Sequence, residues 1–473
     1  MSKHGVILLV NQALKTIELK AHTLYRLLFL VIQFLIGVYM KNSILSSLLA
    51  LGFAAMSPVS SAFAELPMPP FYESVMQMSP AGKLGQVIKK EPIKTSLKGA
   101  QAWRIAYISS DVAGRKTIAT GLIIAPTGPA PKEGRPIMAW AHGTTGSAQN
   151  CGPSQIIDPT RALNQYFLPN GNSWTDFGIP NGQEFINEGY VVVATDYQGL
   201  GGGGKHQYAV AATNGRDVIN SARAASSMPE VGAGKKTVFY GWSQGGGAVV
   251  AAASMPDYQA EQGTAADNLQ HVGFVALAPE DLAAILPKAP TDEAGADKLM
   301  KEFIQGNVPN IFLFTHFTMG IWGTQAAFPE LKLSDLLTEE GVKVVDQLSS
   351  NKCVHVMADS FNFAYGDQYK SLLKPQTSNS LAWVKAFVEG SVKPVKPVAP
   401  VIIYWGSKDV TVPPVMHELY QKQMCAMGAN VARIQLPGEQ SHFTTPGVSA
   451  PMYLEWVKER LAGKPMANGC LSK

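Results

Sequence analysis

Apolar positions between residues 100 and 280 follow two alternating rhythms. Short β-branched runs recur at Trp103–Ser109, Thr117–Ala125, Pro136–Ala141, Tyr190–Ala194, Thr237–Tyr240 and Val272–Ala276. Helix-period stretches, notably Arg216–Ala225 and Gly245–Ala253, lie between the later runs. Near-continuous apolar strands alternating with helices predict an α/β chain with a mostly parallel central sheet flanked by helices. From Ile285 to Gln376 the rhythm turns helical, at Leu299–Ile304 and Leu333–Leu348 with an aromatic-rich stretch at Phe312–Trp322, which predicts an inserted helical cap over residues 285–376. The proline-rich link Val392–Pro400 leads into another buried-strand run, Val401–Trp405, and Val431–Leu436 with a helix over Pro451–Leu461 closes the chain. The core is therefore expected in two parts, residues 65–284 and 377–473. No internal repeat is visible, and the only low-complexity tract is Gly201–Gly204.

The first 64 residues read as an export region. Met40-Lys41 opens a positive stretch, Ile44–Ala55 is apolar, and Ala62-Phe63-Ala64 ends in the small residues of a cleavage site, so the true start is expected at Met40 and the mature chain at Glu65. An upstream apolar run, Leu27–Val38, has 12 residues interrupted by Gln33 and is too short to span a bilayer comfortably by itself, an uncleaved membrane anchor over residues 1–39 being the competing reading. This region holds Lys3, Lys15, Lys20, Arg26 and Lys41 against Glu18, so of 39 basic and 35 acidic residues 34 of each remain. A neutral body offers no electrostatic attraction to nucleic acid. With 46% hydrophobic and 16% charged residues the chain is globular in composition. Cys151, Cys353, Cys425 and Cys470 are an even set with no close pair of the zinc or redox kind. In an exported chain they predict two disulfides, whose pairing the spacing leaves open.

The segment Thr237-Val-Phe-Tyr-Gly241-Trp242-Ser243-Gln244-Gly245-Gly246-Gly247 carries the chemistry. A strand stops in a G-x-S-x-G turn and passes at once into a small-residue helix, the layout of a nucleophile elbow in an α/β-hydrolase. A serine hydroxyl is a weak nucleophile, so it needs a base and an acid to orient that base, and in this fold the chain order is Ser, acid, His. His442, in a glycine-containing loop just after the last strand, is the expected base. Asp409, in Gly406-Ser-Lys-Asp409-Val-Thr-Val-Pro413 after the run Val401–Trp405, is the expected acid, with Asp281 after the preceding strand as its competitor. The developing oxyanion needs two backbone N–H donors, which are expected from Gln244, after the nucleophile, and from Thr144 in His142-Gly-Thr-Thr-Gly146. The hydroxyl of Thr144 or Thr145 is a further candidate donor.

Two other patterns lead elsewhere and fail. Gly199-Leu-Gly201-Gly-Gly-Gly204-Lys205-His206 satisfies G-x-G-x-x-G, but residue 206 is His where a phosphate loop needs Ser or Thr, and no helix opens at once, so nucleotide binding is not expected and the run reads as a flexible loop near the pocket. His417-Glu418 begins a zinc helix motif, but its fifth position is Gln421, so no metal is expected there.

The ordered set Ala141-His-Gly-Thr-Thr-Gly146, Asp196-Tyr-Gln-Gly-Leu-Gly201, Tyr240-Gly-Trp-Ser-Gln-Gly-Gly-Gly-Ala248, Gly406-x-x-Asp409-x-x-Val-Pro413 and Ser441-His442 resembles the secretory lipase family. The resemblance implies an α/β-hydrolase core, a helical cap over an acyl pocket, no cofactor, and hydrolysis of acylglycerols or simpler carboxylic esters by a secreted (extracellular or periplasmic) lipase or esterase. It also favours the pairing Cys151–Cys353 and Cys425–Cys470. The expected partners are a small-molecule or lipid ester and a lipid–water interface, with neither nucleic acid nor nucleotide among them. The sequence departs from the family pattern at Gln198, in the glycine run 201–204, and in the insertion 155–182, where Tyr166, Phe167, Trp174 and Phe177 are candidates to cover the entrance. A serine peptidase of the same fold and a non-catalytic binding protein are the competing readings. The cap residues Phe303, Ile304, Phe312, Phe314, Phe317, Met319, Ile321 and Trp322 favour an acyl pocket over a peptide site, although such a run also serves as plain cap core.

Overall fold

A computed structural model of the chain describes residues 68–156, 178–281 and 290–470. The export region, the entrance aromatics of the insertion and the start of the expected cap lie outside them.

Among the described residues, nine strands form one sheet: β1 (Val87–Ile93), β2 (Ala100–Ser110), β3 (Lys116–Pro126), β4 (Arg135–Ala141), β5 (Val191–Gln198), β6 (Ala233–Trp242), β7 (Gln270–Leu277), β8 (Val401–Trp405) and β9 (Val431–Gln435). Their order is β1-β2-β3-β5-β4-β6-β7-β8-β9. From β5 to β9 all neighbours run parallel, while β1, β2 and β3 form an antiparallel flank joined to β5. β1 has no strong apolar run, because its sequence VIKKEPI lies at the sheet edge and is only partly buried.

The apolar runs are continuous because both faces of the sheet are covered. Ile137, Ala139, Val193, Phe239, Ala276 and Ile403 point to one face, packed with the helices Ala211–Ser227 and Gln244–Ala253. Their neighbours Met138, Trp140, Val192, Tyr240, Val275 and Tyr404 point to the other, against Phe185 and against Tyr453, Trp456 and Val457 of the helix Thr445–Leu461. That last helix starts earlier than its proline suggested. Pro446 sits in its first turn and Pro451 lies inside it.

Between β7 and β8 the described chain forms the helices Glu293–Asn307, Ile311–Ala327, Glu339–Asn351, Val354–Tyr365 and Ser380–Gly390. The apolar periodicity over Leu333–Leu348 is split in two, because the Thr338 hydroxyl accepts the Gly341 N–H at 3.1 Å and caps a new helix. Ser380–Gly390 packs Phe387 against Phe303 of the first helix in the run, so the helical layer extends to the start of the link before β8. The two disulfides are Cys151–Cys353 and Cys425–Cys470. The first ties the turn after β4 to the inserted helices, where Val354 N also donates to Thr145 O at 2.9 Å.

Candidate active site

Thr144, Ser243, Asp409 and His442 all lie just beyond the carboxyl ends of parallel strands, on β4, β6, β8 and β9 respectively. The register Ala141↔Gly241 sets the turns after β4 and β6 side by side.

Ser243 occupies φ 57°, ψ −118°, a region that L-residues rarely adopt. The turn is held by tight packing on both sides: a Cβ on Gly245 would come within 1.9 Å of the Ala141 carbonyl oxygen. That oxygen and the His142 carbonyl oxygen, which the same Cβ would meet at 2.6 Å, both belong to backbone and cannot swing aside. Gly245→Ala is therefore expected to destabilise the protein by about 2–3 kcal/mol or more, read as a lowered denaturant midpoint; an unchanged midpoint would show that the turn has slack.

His442 bridges the set. Its Nδ1 lies 2.8 Å from Asp409 Oδ2 and its Nε2 2.9 Å from Ser243 Oγ, all three side chains being buried. A carboxylate only accepts, so Nδ1–H donates to Asp409 and Nε2 is left to accept the Ser243 hydroxyl proton. The other oxygen of Asp409 accepts N–H groups from Thr411 at 2.9 Å and Val412 at 2.8 Å, which locks the carboxylate on its loop. Asp281, the competing acid, is bound instead to the Ser391 hydroxyl.

Trp242, which the motif leaves unspecified, holds the histidine from behind. Its ring packs 4.9 Å from the His442 ring and its indole N–H donates to the His442 carbonyl at 3.2 Å. Gln244 opens the helix Gln244–Ala253, so its N–H belongs to a first turn that has no intrahelical acceptor. Its side chain is buried and donates to His206 Nε2 at 3.2 Å and Asn214 Oδ1 at 3.1 Å. The Thr144 hydroxyl is 2.8 Å from the Tyr208 hydroxyl, which lies 3.5 Å from Glu280 Oε2. Burial, with Asp281 nearby, pushes the Glu280 carboxyl up to about 7.

The segment that carries the glycine run is packed where it leaves β5. Leu200 is fully buried, and a Cβ on Gly199, at φ 81°, would meet His206 N at 2.3 Å. His206 is itself buried, with Nδ1 2.7 Å from the Gln198 carbonyl, and desolvation lowers its pKa to about 3. The backbone carbonyl at position 198 thus anchors the histidine that supports Gln244. His142 is structural in the same way: its ring packs 4.6 Å from Tyr197, and burial lowers it to about 4. Asp196 accepts the Ser154 N–H at 2.9 Å and the Thr120 hydroxyl at 2.8 Å, pinning the segment after Cys151 to the end of β5.

The remaining histidines divide between core and cavity. His271 packs on Phe239, and His417 Nδ1 accepts the Arg433 Nε–H at 2.9 Å. His316 and His355 line a cavity of about 340 Å³ together with Thr144, Trp242, Ser243, Phe312, Val354, Thr411, His442 and Phe443. Of the cap residues read as an acyl lining, only Phe312 is on that wall. Phe303, Phe314, Phe317, Met319, Ile321 and Trp322 are buried in the core of the helical layer, because the helix Ile311–Ala327 is apolar on every side.

Comparison with known proteins places the chain in a family. The family model "Secretory lipase" matches residues 183–289 and 316–469, more than half of the chain. Lipase 9 of Candida albicans is 23% identical over 439 residues, covering 85% of this chain and 84% of its own. A secreted triacylglycerol lipase of Malassezia globosa is 25% identical over 411 residues, covering 81% and 78%. The closed state of Candida antarctica lipase A superimposes with a TM-score of 0.65 at 20% identity, over 86% of this chain and 90% of that one, which shows the α/β-hydrolase fold. The chain belongs to the secretory lipase family and is a carboxylic ester hydrolase.

Proposed function

We propose that Ser243, His442 and Asp409 form the catalytic triad of a secreted lipase acting on acylglycerols or other fatty-acyl esters. The observation that carries this reading is the position of His442, hydrogen-bonded to both partners inside a cavity. Ser243 Oγ attacks the ester carbonyl as His442 Nε2 takes its proton, and the oxyanion forms against the backbone N–H groups of Thr144 and Gln244. His442 then gives the proton to the departing alkoxide, and an acyl-enzyme remains. Water, deprotonated by the same histidine, attacks the acyl carbon, and collapse of the second tetrahedral intermediate releases the acid and restores Ser243. Asp409 keeps the imidazole in the tautomer that can accept from serine and stabilises it when charged.

The helices between β7 and β8 are proposed to act as a cap over the acyl site. Phe312, His316, Val354 and His355 from this layer share the cavity with Ser243, and no Asp, Glu, Lys or Arg stands among the described lining residues. Such a wall suits an acyl chain better than a peptide, whose backbone and termini need polar anchors. Export is supported by two disulfides, which persist in oxidising compartments, and by relatives named as secreted. No described helix is long and apolar enough to cross a membrane.

The test offers the purified protein p-nitrophenyl esters from acetate to palmitate beside aminoacyl and prolyl amides, with a phosphonate probe to mark the nucleophile. The expected result is ester hydrolysis with the probe on Ser243 alone. Preferential cleavage of the amides, or a probe bound elsewhere, would overturn the reading, and the chain-length profile would size the acyl site.

A further inference from the structure

His316, on the helix Ile311–Ala327, faces the cavity that holds Ser243 yet has no place in the proposed triad. Its ring is tied from within its own helix, Nδ1 lying 2.8 Å from the Phe312 carbonyl oxygen. A carbonyl only accepts, so Nδ1 carries the hydrogen and a neutral ring presents a bare lone pair on Nε2. Burial, with smaller contributions from His442 and His355, lowers this histidine to about 4, so it is uncharged wherever a serine–histidine pair works. Packing sets the ring's direction: Phe312 lies 4.4 Å from it, and Tyr208 stands edge-on at 6.4 Å. Among the described residues, Nε2 accepts no hydrogen bond from the protein. The cavity therefore contains a fixed, neutral acceptor on an otherwise largely apolar wall.

The side of the cavity on which it stands follows from the chemistry. His442 returns its proton to the leaving alkoxide, so the alcohol part of the ester lies on the His442 side of the scissile bond. Phe443 follows His442 in sequence, and its ring meets Phe312 at 6.1 Å, one helical turn from His316. His316 and His442 line the same cavity. An unpaired acceptor at this place rewards a substrate that brings a donor, and a free hydroxyl is the donor that partly acylated polyols carry.

We propose that His316 is a specificity-determining residue whose Nε2 accepts a hydrogen bond from a free hydroxyl on the alcohol part of the ester, favouring partial glycerides and other polyol monoesters over esters in which that hydroxyl is blocked. The assignment rests on the triad reading given above, since that reading places the alcohol. The test compares kcat/KM for 2-hydroxyethyl butyrate and 2-methoxyethyl butyrate in the wild-type chain, His316→Phe and His316→Gln. His316→Phe is expected to lower the hydroxy-to-methoxy ratio by about three- to tenfold, the worth of one neutral hydrogen bond, and to do so through KM more than kcat. His316→Gln, whose Oε1 also accepts, restores part of the ratio. A ratio unchanged in His316→Phe overturns the proposal. So does a drop seen instead between ethyl 3-hydroxybutyrate and ethyl 3-methoxybutyrate, which would put the donor on the acyl side. Titrating active sites with the phosphonate counts folded enzyme, and should His316→Phe fail to fold, His316→Leu, which also lacks an acceptor, decides: a lowered ratio supports the proposal and an unchanged one overturns it. Failure of the triad reading is separately visible, as hydrolysis of both esters that survives Ser243→Ala.

Discussion

Ser243→Ala is expected to lower kcat by about 10⁴-fold or more while leaving the fold intact. The hydroxyl removed is the atom that forms the acyl-enzyme, and its hydrogen bond in the resting site goes to His442. The backbone strain at φ 57° is imposed by the turn and is as tolerable for alanine as for serine. Loss of one buried hydrogen bond costs stability only modestly, about 1 kcal/mol. Turnover of p-nitrophenyl butyrate and the thermal unfolding midpoint together check the expectation. Near-normal turnover in a folded Ser243→Ala protein would remove the nucleophile from the proposal and the acyl-enzyme with it.

Asp409→Asn is expected to reduce kcat by about 10³–10⁴-fold, although the new side chain has nearly the same shape. The Thr411 and Val412 N–H groups bind Oδ1, so the amide oxygen of an asparagine takes that position and its NH₂ turns toward His442. Nδ1 must then accept rather than donate, which puts the imidazole hydrogen on Nε2 and leaves nothing to take the serine proton. Asp281→Asn should cost less than about tenfold, since Asp281 is engaged with Ser391 and orients no catalytic group in the proposed mechanism. Measured side by side on one ester, the two variants separate the candidate acids, and a reversed ranking would transfer the role to Asp281.

Residue pattern alone determined the elements that need only local chemistry. The apolar runs at Pro136–Ala141, Thr237–Tyr240 and Val401–Trp405 are strands because a sheet covered on both faces requires apolar residues at successive positions. The elbow was legible because a serine forced into a left-handed turn leaves glycine as the residue that fits beside it, as at Gly245. Asp409 could be favoured over Asp281 from its loop, but not separated from it. The structure sets Asp409 against His442, and that contact depends on how β8 and β9 are placed relative to β6. Trp242, His206, Tyr208 and His316 were not assigned roles at the site because each acts through a partner far away in the chain or through the direction of a ring, and neither leaves a periodic mark in sequence. The aromatic helix Ile311–Ala327 shows the same limit: its apolar content is plain, yet which residues face the cavity and which fill the helical layer follows from packing against Phe361, Tyr369 and Phe303. The glycine run 201–204 misled for a related reason. Glycine signals freedom in an isolated chain, whereas at Gly201 and Gly202 it lets the backbone press against its neighbours, and only the tertiary contacts distinguish the two.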